Sequence, residues 1–250
     1  MSHRFRALKS APALVVAAAL GTLATGATAG IASEKLVAVP FVGCRSDGQL
    51  GPQPAPRKPR EIIRVPGKAA GELAFYESDE MGVLAPRGWR CIGLSGSNGS
   101  ILIVTPEQPG EDSFRIKGPA VQLTFSVGDT SGRFEAAKIA ARLFPSRRAF
   151  VEGVIGEGIE PATAFPLGPP ATDAVKRYGD NAAEFVTPAG AEGLGTMSRL
   201  VKSDLPISGA ATIDSENNVL TLDVRLPPRL QHISRSIVES VRKGATQGGG

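Results

Sequence analysis

The sequence predicts an α+β fold: a mainly antiparallel sheet with two or three helices on one face, Gly/Pro-rich loops and one disulfide. Short apolar, β-branched runs recur along the chain between turns, which is typical of strands. Glycine and proline supply 50 of the 250 residues, whereas an average protein has about 12% of the two together. The few helical patterns follow groups of strands instead of alternating with them, and this order favours α+β over α/β.

Nine runs have the composition of strands, because they are rich in β-branched and aromatic residues and are bounded by turn residues. Consecutive runs joined by short turns are expected to pair as antiparallel neighbours. The sequence DSENN, for example, predicts the turn of a late hairpin. The runs span residues 35–43, 72–78, 88–94, 100–105, 121–128, 149–156, 183–187, 205–213 and 217–227.

A β-hairpin is predicted for residues 88–105. Asn98 and Gly99 both tolerate positive φ, and this pair is a strong signal for a two-residue hairpin turn. With Asn98 and Gly99 at the tip, Leu94 lies opposite Ile103. The two-residue period of a strand then places four apolar side chains on one buried face, namely Ile92, Leu94, Ile101 and Ile103.

Helices are predicted at three places from apolar periodicity and from capping residues. The first follows Thr130 or Ser131, either of which can cap it, and it ends at the next proline. A second, short helix is predicted around residues 173–178. The third opens at the paired prolines 227–228, and Gly244 is expected to cap its end.

The first 29 residues have the three parts of a secretory signal peptide. Arg4, Arg6 and Lys9 form a positively charged start, residues 11–23 are apolar, and small residues lead to Ala29. We therefore expect cleavage after Ala29 and a periplasmic or secreted protein. The apolar run is shorter than the roughly 20 residues of a membrane span, which disfavours an uncleaved anchor. No other stretch of the sequence predicts a span.

Three parts follow from this division: a signal peptide (1–29), a single α+β domain (30–243) and a flexible, glycine-rich tail (244–250). The alternative to one domain is a sub-domain boundary near Ser146.

Without the leader, the chain has 25 basic and 24 acidic residues, a formal charge of +1. This balance and the scarcity of Trp and Tyr disfavour a nucleic-acid partner, which needs a basic face and stacking aromatics.

Cys44 and Cys91 are the only cysteines in the chain. An even count in an exported protein predicts an intrachain disulfide, with two separate free thiols as the alternative. Trp89 lies two residues before Cys91 and therefore on the same face of its strand. We expect the indole to pack against the disulfide, so that the pair serves as a structural staple.

The sequence predicts no catalytic residue, metal site or cofactor. His232 is the only histidine left after cleavage, and the terminal helix places it away from the apolar stripe, where a general base for a serine nucleophile is not expected. GLSGS, residues 93–97, lacks the last glycine of a nucleophile elbow. One histidine and two paired cysteines do not build a zinc site.

The second glycine-rich loop, PAGAEGLGT, is the best candidate for ligand binding. Its glycines let backbone amides approach a ligand, and polar side chains flank them. The alternative is a hydrolase or transferase that uses carboxylates near residues 190–196, drawn from Asp173, Asp180 and Glu184. The candidate binding residues are Thr187, Gly190, Glu192, Gly193, Gly195 and Thr196.

Three segments, GCRSDGQLGPQPAP, GVLAPRGWRC and GSNGSILIVTP, resemble a family of uncharacterised exported bacterial proteins. TPAGAEGLGT and VRLP belong to the same pattern. The resemblance covers most of the mature chain and implies a periplasmic or secreted location without implying an activity. We therefore expect a non-enzymatic binding or accessory protein of the bacterial envelope, whose partner is an envelope component or a small ligand.

Overall fold

The structure is a computed structural model, and it describes residues 35–109 and 115–247. The predicted signal peptide lies outside the described residues, as do residues 248–250 of the predicted tail. The described residues all belong to one unit, in which Ser146 connects two helices of the same layer.

Thirteen strands and four α-helices make up the described part of the chain. The strands are β1 (Leu36–Ala38), β2 (Phe41–Gly43), β3 (Ser46–Gly48), β4 (Arg64–Pro66), β5 (Leu73–Glu77), β6 (Gly82–Pro86), β7 (Arg90–Gly96), β8 (Gly99–Thr105), β9 (Ala120–Ser126), β10 (Ala174–Tyr178), β11 (Ala182–Thr187), β12 (Ile207–Ile213) and β13 (Val219–Arg225). The helices are α1 (Gly67–Ala70), α2 (Arg133–Leu143), α3 (Arg148–Gly156) and α4 (Ser234–Gln247).

Eight strands form the main sheet, in the order β10-β11-β12-β13-β9-β8-β7-β3. Every neighbouring pair is antiparallel except β3 and β7, which are parallel. A small sheet, β2-β5-β6, and a two-stranded ribbon, β1-β4, complete the strands. The predicted α+β class with a mainly antiparallel sheet is confirmed.

Helices cover both faces of the main sheet, so the expectation that they lie on one face is wrong. Ala210 packs with α4 and the small sheet, whereas its neighbour Ala211 packs with α2 and α3. Consecutive strand residues point to opposite faces, so these two cores lie on opposite sides. The physical reason is that the central strands are apolar on both sides: β12 is buried at every position except Ser208.

The elements that were predicted incorrectly are short ones. Residues 149–156 form most of helix α3 instead of a strand, because Val151 and Val154 recur at helical spacing and are buried together against α2. The short helix predicted around residues 173–178 is wrong, because residues 174–178 form strand β10, which pairs along its length with β11. Gly244 lies inside α4, which continues to Gln247.

The strand predictions were correct at most places. The run 35–43 is interrupted at Pro40 and gives β1 and β2, because proline cannot donate to a ladder. Strand β6 was missed, although all but its first residue are buried. The first predicted helix is confirmed as α2, which starts after Gly132, whose amide donates to Thr130 Oγ1 at 3.3 Å.

The predicted hairpin exists as β7 and β8, but its register differs from the prediction. Gly96 pairs with Gly99, and Leu94 lies opposite Ile101 instead of Ile103. Gly99 is a strand residue because it also pairs with Ser126 of β9. The long-range pairing with β9 therefore moves the turn back by one residue.

Replacement of Gly99 by alanine is expected to lower the free energy of unfolding by about 1 to 3 kcal/mol. Gly99 has a φ of +133°, and a Cβ there would lie 1.9 Å from the carbonyl oxygen of Phe125. Gly96→Ala is the matched control, since its Cβ would meet only the Asn98 side chain, at 3.1 Å. Urea unfolding of both variants measures the difference, and equal stabilities would contradict this reading of the hairpin.

The predicted disulfide between Cys44 and Cys91 is present, with Cα atoms 5.4 Å apart. It connects the residue after β2 to the second residue of β7. Trp89 is buried in the core that also holds the disulfide. Tyr76 belongs to this core, and its hydroxyl accepts the Trp89 N–H at 2.9 Å and donates to the Pro86 carbonyl at 2.7 Å. The disulfide and the hydrogen bond to Trp89 therefore give the start of β7 a structural role.

Candidate functional site

The glycine-rich loop after β11 is organised around the Asp173 carboxylate. Asp173 Oδ2 accepts the Leu194 N–H at 2.6 Å and the Thr187 hydroxyl at 3.0 Å. The Thr187 oxygen in turn accepts the Gly195 N–H at 3.0 Å. A Cβ at Gly193 would lie 2.0 Å from Asp173 Oδ1, which explains why only glycine fits there.

The backbone amides of this loop are directed at the protein itself. Four of the predicted binding residues, Thr187, Gly193, Gly195 and Thr196, come together around Asp173, whereas Gly190 and the Glu192 side chain are exposed. The amides of residues 190, 191 and 193–196 already have acceptors within the protein, so they are not directed at a ligand. The further donations are Gly190 N–H to Ser203 O, Ala191 N–H to Pro188 O, Gly193 N–H to Thr196 Oγ1 and Thr196 N–H to Gly193 O.

Replacement of Asp173 by alanine is expected to destabilise the loop by about 1 to 3 kcal/mol, because the Leu194 amide loses its charged acceptor. Hydrogen exchange followed residue by residue measures this, with loss of protection at Leu194 and Gly195. Glu192→Ala is the control, since that side chain is exposed, and it is expected to leave exchange unchanged. Retained protection at Leu194 in the Asp173 variant would contradict the prediction.

The three carboxylates considered for acid/base catalysis do not come together at the glycine-rich loop. Asp173 and Asp180 flank opposite ends of β10, which separates them by about 17 Å at the rise of a strand. Glu184 lies on the opposite face of the sheet from Thr187, because the two are three positions apart along β11. Glu184 accepts hydrogen bonds from Tyr178 and Arg242. No pair of these three is assembled at the loop.

A groove of about 400 Å³ lies beside the glycine-rich loop, on the face of the sheet that carries α2. Strands β8, β9 and β13 supply its floor, and α2 and residues 194–199 supply its walls. Most of the floor side chains are polar, whereas the walls include both apolar and polar side chains. Its lining includes Ile101, Gln122, Thr124, Thr221 and Asp223 on the floor, and Glu135, Ile139, Leu194, Met197, Ser198 and Arg199 in the walls.

Asp223 is the buried carboxyl group of this groove. The residue is 1% exposed, and Oδ1 has no hydrogen-bond partner among the described residues. Burial raises the pKa of the Asp223 carboxyl well above its ordinary value of 3.8, and the positive charge of Arg225 lowers this pKa by a smaller amount. A buried carboxyl group with an unsatisfied oxygen at the base of a concavity is suited to bind a ligand.

The neighbours of Asp223 have defined hydrogen-bonding roles. Gln122 is its cross-strand partner in β9, and Gln122 Nε2 donates to Thr124 Oγ1 at 2.9 Å. Gln122 Oε1 accepts the Arg199 N–H at 3.1 Å and so holds the wall against the floor. Because Thr124 accepts a hydrogen bond, its own hydroxyl hydrogen is left for another acceptor.

The sequence contains a signal for this site that the prediction did not use. Asp223 stands inside the apolar run VLTLDVRL, directly between Leu222 and Val224. A carboxylate is rarely buried in a strand without a specific role. What the sequence does not contain is the pairing of β13 with β9, which places Asp223 beside Gln122.

Replacement of Asp223 by asparagine is expected to raise the free energy of unfolding at pH 7. The folded pKa of Asp223 lies above its unfolded value, so the folded state binds more protons and stability falls as pH rises from about 4 through the folded pKa. Asparagine has the same shape and no charge. Chemical unfolding at pH 7 and pH 4 should show an advantage for the variant that shrinks at the lower pH. A constant difference would contradict the pKa direction.

Comparison with protein-family models, with curated proteins and with solved structures finds no match for this chain. Among residues 35–109 and 115–247, no helix has both the length and the apolar character needed to cross a membrane. Within the same residues, no three His, Cys, Asp or Glu side chains lie together as a metal site. The Cys44–Cys91 disulfide is consistent with an oxidising, extracytoplasmic compartment.

Proposed function

We propose that this chain is an exported bacterial envelope protein that binds a small ligand in the Asp223 groove without transforming it. The observation that carries the proposal is the buried Asp223 carboxyl, whose Oδ1 is unpartnered at the floor of a concavity. An unsatisfied buried oxygen is destabilising by about 1 to 3 kcal/mol. Residues that lower stability in this way are common at functional sites, and we infer that Asp223 is present for ligand binding.

The side chains around the groove support binding more than catalysis. Glu135 is the other carboxylate of the lining; its side chain is 55% exposed and is ion-paired with Lys138 at 2.8 Å. Glycoside hydrolysis by two carboxylates requires an acid and a base that face each other across the substrate. His232 contacts Glu72 at 2.6 Å at an exposed position and does not line the groove.

Export is supported by three features of the chain. The first 29 residues have the pattern of a signal peptide that is cleaved after Ala29. The disulfide closes a separation of 47 residues and requires an oxidising compartment to persist. The resemblance of residues 43–56, 82–91 and 96–106 to exported bacterial proteins points in the same direction.

A groove-blocking variant tests the binding role. Met197 is 40% exposed and lines the groove, whereas Leu167 is 59% exposed and does not line it. Met197→Trp is therefore expected to fill the groove, and Leu167→Trp is the matched control. Both substitutions add an indole at an exposed apolar position, so the stability of the fold is expected to change little.

Fragment screening by saturation-transfer NMR against a library of neutral, acidic and basic fragments is the measurement. We expect fragments that bind the wild-type protein and the Leu167 variant but are lost from the Met197 variant. Absence of such groove-dependent fragments would overturn the proposed function. Conversion of a fragment during the measurement would overturn its non-enzymatic part.

A further inference from the structure

We propose that the outer edge of β10 binds an extended peptide segment that carries an aspartate or glutamate opposite Lys176. The peptide adds a ninth strand to the main sheet, beside a second groove that lies between β10 and α4. This site is on the other face of the sheet from the Asp223 groove and does not depend on the function proposed for that groove. The inference follows from the unpaired edge, from the groove next to it and from the charge of Lys176.

Strand β10 ends the main sheet and has a single strand neighbour, β11. Among the described residues, no backbone hydrogen bond reaches residues 174–178 from any other segment. Every second residue of an edge strand directs its N–H and C=O away from the sheet, where an extended chain can pair with them. Ala174, Lys176 and Arg177 are exposed, so this edge is open to a peptide.

A groove of about 470 Å³ lies between this edge and α4. Lys176 is on the α4 face of the sheet, because it lies opposite Glu184, which lies opposite Ala210 in the core beneath α4. Val186, which is 40% exposed, and Val238 of α4 give the groove apolar surface. Recognition of a peptide at a strand edge combines main-chain hydrogen bonds with pockets for alternate side chains, and this edge offers both.

Two carboxylates of the groove already have cationic partners. Glu184 Oε1 accepts the Arg242 Nε–H at 2.6 Å. Glu239 forms ion pairs with Arg235 and Lys243, each at 2.7 Å. Because each negative charge has its own cation, an incoming acidic side chain meets no uncompensated negative charge from these two groups.

The Lys176 ammonium is the uncompensated charge at this edge. It lies 4.9 Å from the centroid of the Tyr178 ring, and within residues 35–109 and 115–247 no carboxylate forms an ion pair with it. Lys176 is also the central residue of β10. Antiparallel pairing of two copies about this centre would set the two lysines opposite each other, which is destabilising. An aspartate or glutamate at that position is attracted instead, so the edge favours an acidic peptide over a second copy.

Peptides selected from a display library of random nine-residue sequences, on the mature, disulfide-bonded protein, are the probes. Their affinities for the wild-type protein and its variants are measured by fluorescence anisotropy. Hydrogen exchange of the β10 amides, with and without peptide, shows whether the peptide pairs with this strand. Lys176→Glu reverses the proposed attraction. Lys58→Glu is the matched control, because Lys58 is exposed in the loop between β3 and β4.

We expect the selected peptides to carry Asp or Glu with an apolar residue two positions away, since alternate residues of a strand share a face. Bound peptide should slow exchange within residues 174–178. Lys176→Glu should weaken binding about tenfold, whereas Lys58→Glu should leave the affinity within about twofold of the wild type. Replacement of the acidic residue of the peptide by lysine should restore binding to Lys176→Glu, a result that a folding defect would not give.

The inference is wrong if no peptide is selected, if bound peptide leaves exchange in residues 174–178 unchanged, or if Lys176→Glu binds as tightly as the wild type. A Lys176→Val variant that dimerises in sedimentation, while no peptide is selected, would show that the lysine serves only to prevent pairing between copies.

Met197→Trp separates this proposal from the proposed function. This variant fills the Asp223 groove and should bind the selected peptides like the wild type. Loss of peptide binding in Met197→Trp would assign the peptides to the Asp223 groove and would overturn the inference about β10.

Discussion

Reduction of the Cys44–Cys91 disulfide is expected to lower the free energy of unfolding by about 4 kcal/mol, because the bond closes a separation of 47 residues. For a domain of this size, that loss corresponds to a fall in Tm of roughly 10 °C. The physical cause is the larger conformational entropy of the unfolded chain once the loop is open. Differential scanning calorimetry with and without a reductant measures the shift.

The control is the double variant Cys44→Ala, Cys91→Ala. Its Tm should equal that of the reduced wild-type protein to within a few degrees, and reductant should not change it further. An unchanged Tm on reduction of the wild-type protein would show that the packing of β2, β3 and β7 holds this region without the covalent bond.

Replacement of Arg225 by leucine is expected to lower the free energy of unfolding by about 3 to 5 kcal/mol. Arg225 is fully buried; its Nη1 donates to the Ile116 carbonyl at 3.0 Å, and its Nη2 donates to the Val201 carbonyl at 2.5 Å. The guanidinium therefore joins the segment before β9 to the loop before β12. Leucine would leave these buried carbonyls without a donor.

Urea unfolding followed by the fluorescence of Trp89, the single tryptophan, measures this loss. Arg229→Leu is the matched control, because Arg229 is an exposed arginine just beyond the same strand, and its effect should stay within about 0.5 kcal/mol. Arg225→Lys is expected to fall between the two, since an ammonium group lacks the fork of a guanidinium. Equal stabilities of the leucine variants would contradict a structural role for Arg225.

The local elements of the fold could be predicted where the sequence signal was long or unambiguous. Strands β9, β12 and β13 and helix α2 follow from runs with a clear period and clear ends. The apolar period also predicts α4, but its ends differ from the prediction. The segment 149–156 was predicted incorrectly, because a short apolar run fits a buried strand and a buried helix equally well. For residues 173–178, pairing with β11 decides the strand over any local preference.

The sequence predicted the glycine-rich loop beside the groove but not Asp223 on its floor. The loop that carries Gly193 and Thr196 does lie at the groove, but as a wall organised by Asp173, with its amides already bonded. The glycines there were predicted to let backbone amides approach a ligand, whereas the structure shows that Gly193 allows the loop to lie close to the Asp173 carboxylate. Asp223 was overlooked because a strand pattern is judged by its apolar residues, and the single carboxylate inside the run was treated as a strand residue.

The sequence by itself determined the disulfide partners, since two cysteines permit only one intrachain pairing, and it determined the late hairpin, because a polar turn joins two adjacent apolar runs. The tertiary structure alone decided the groove. Gln122 and Asp223 become neighbours through the pairing of β9 with β13, across about a hundred residues of chain. Such pairing depends on packing on both faces of the sheet, and no local pattern of residues encodes it.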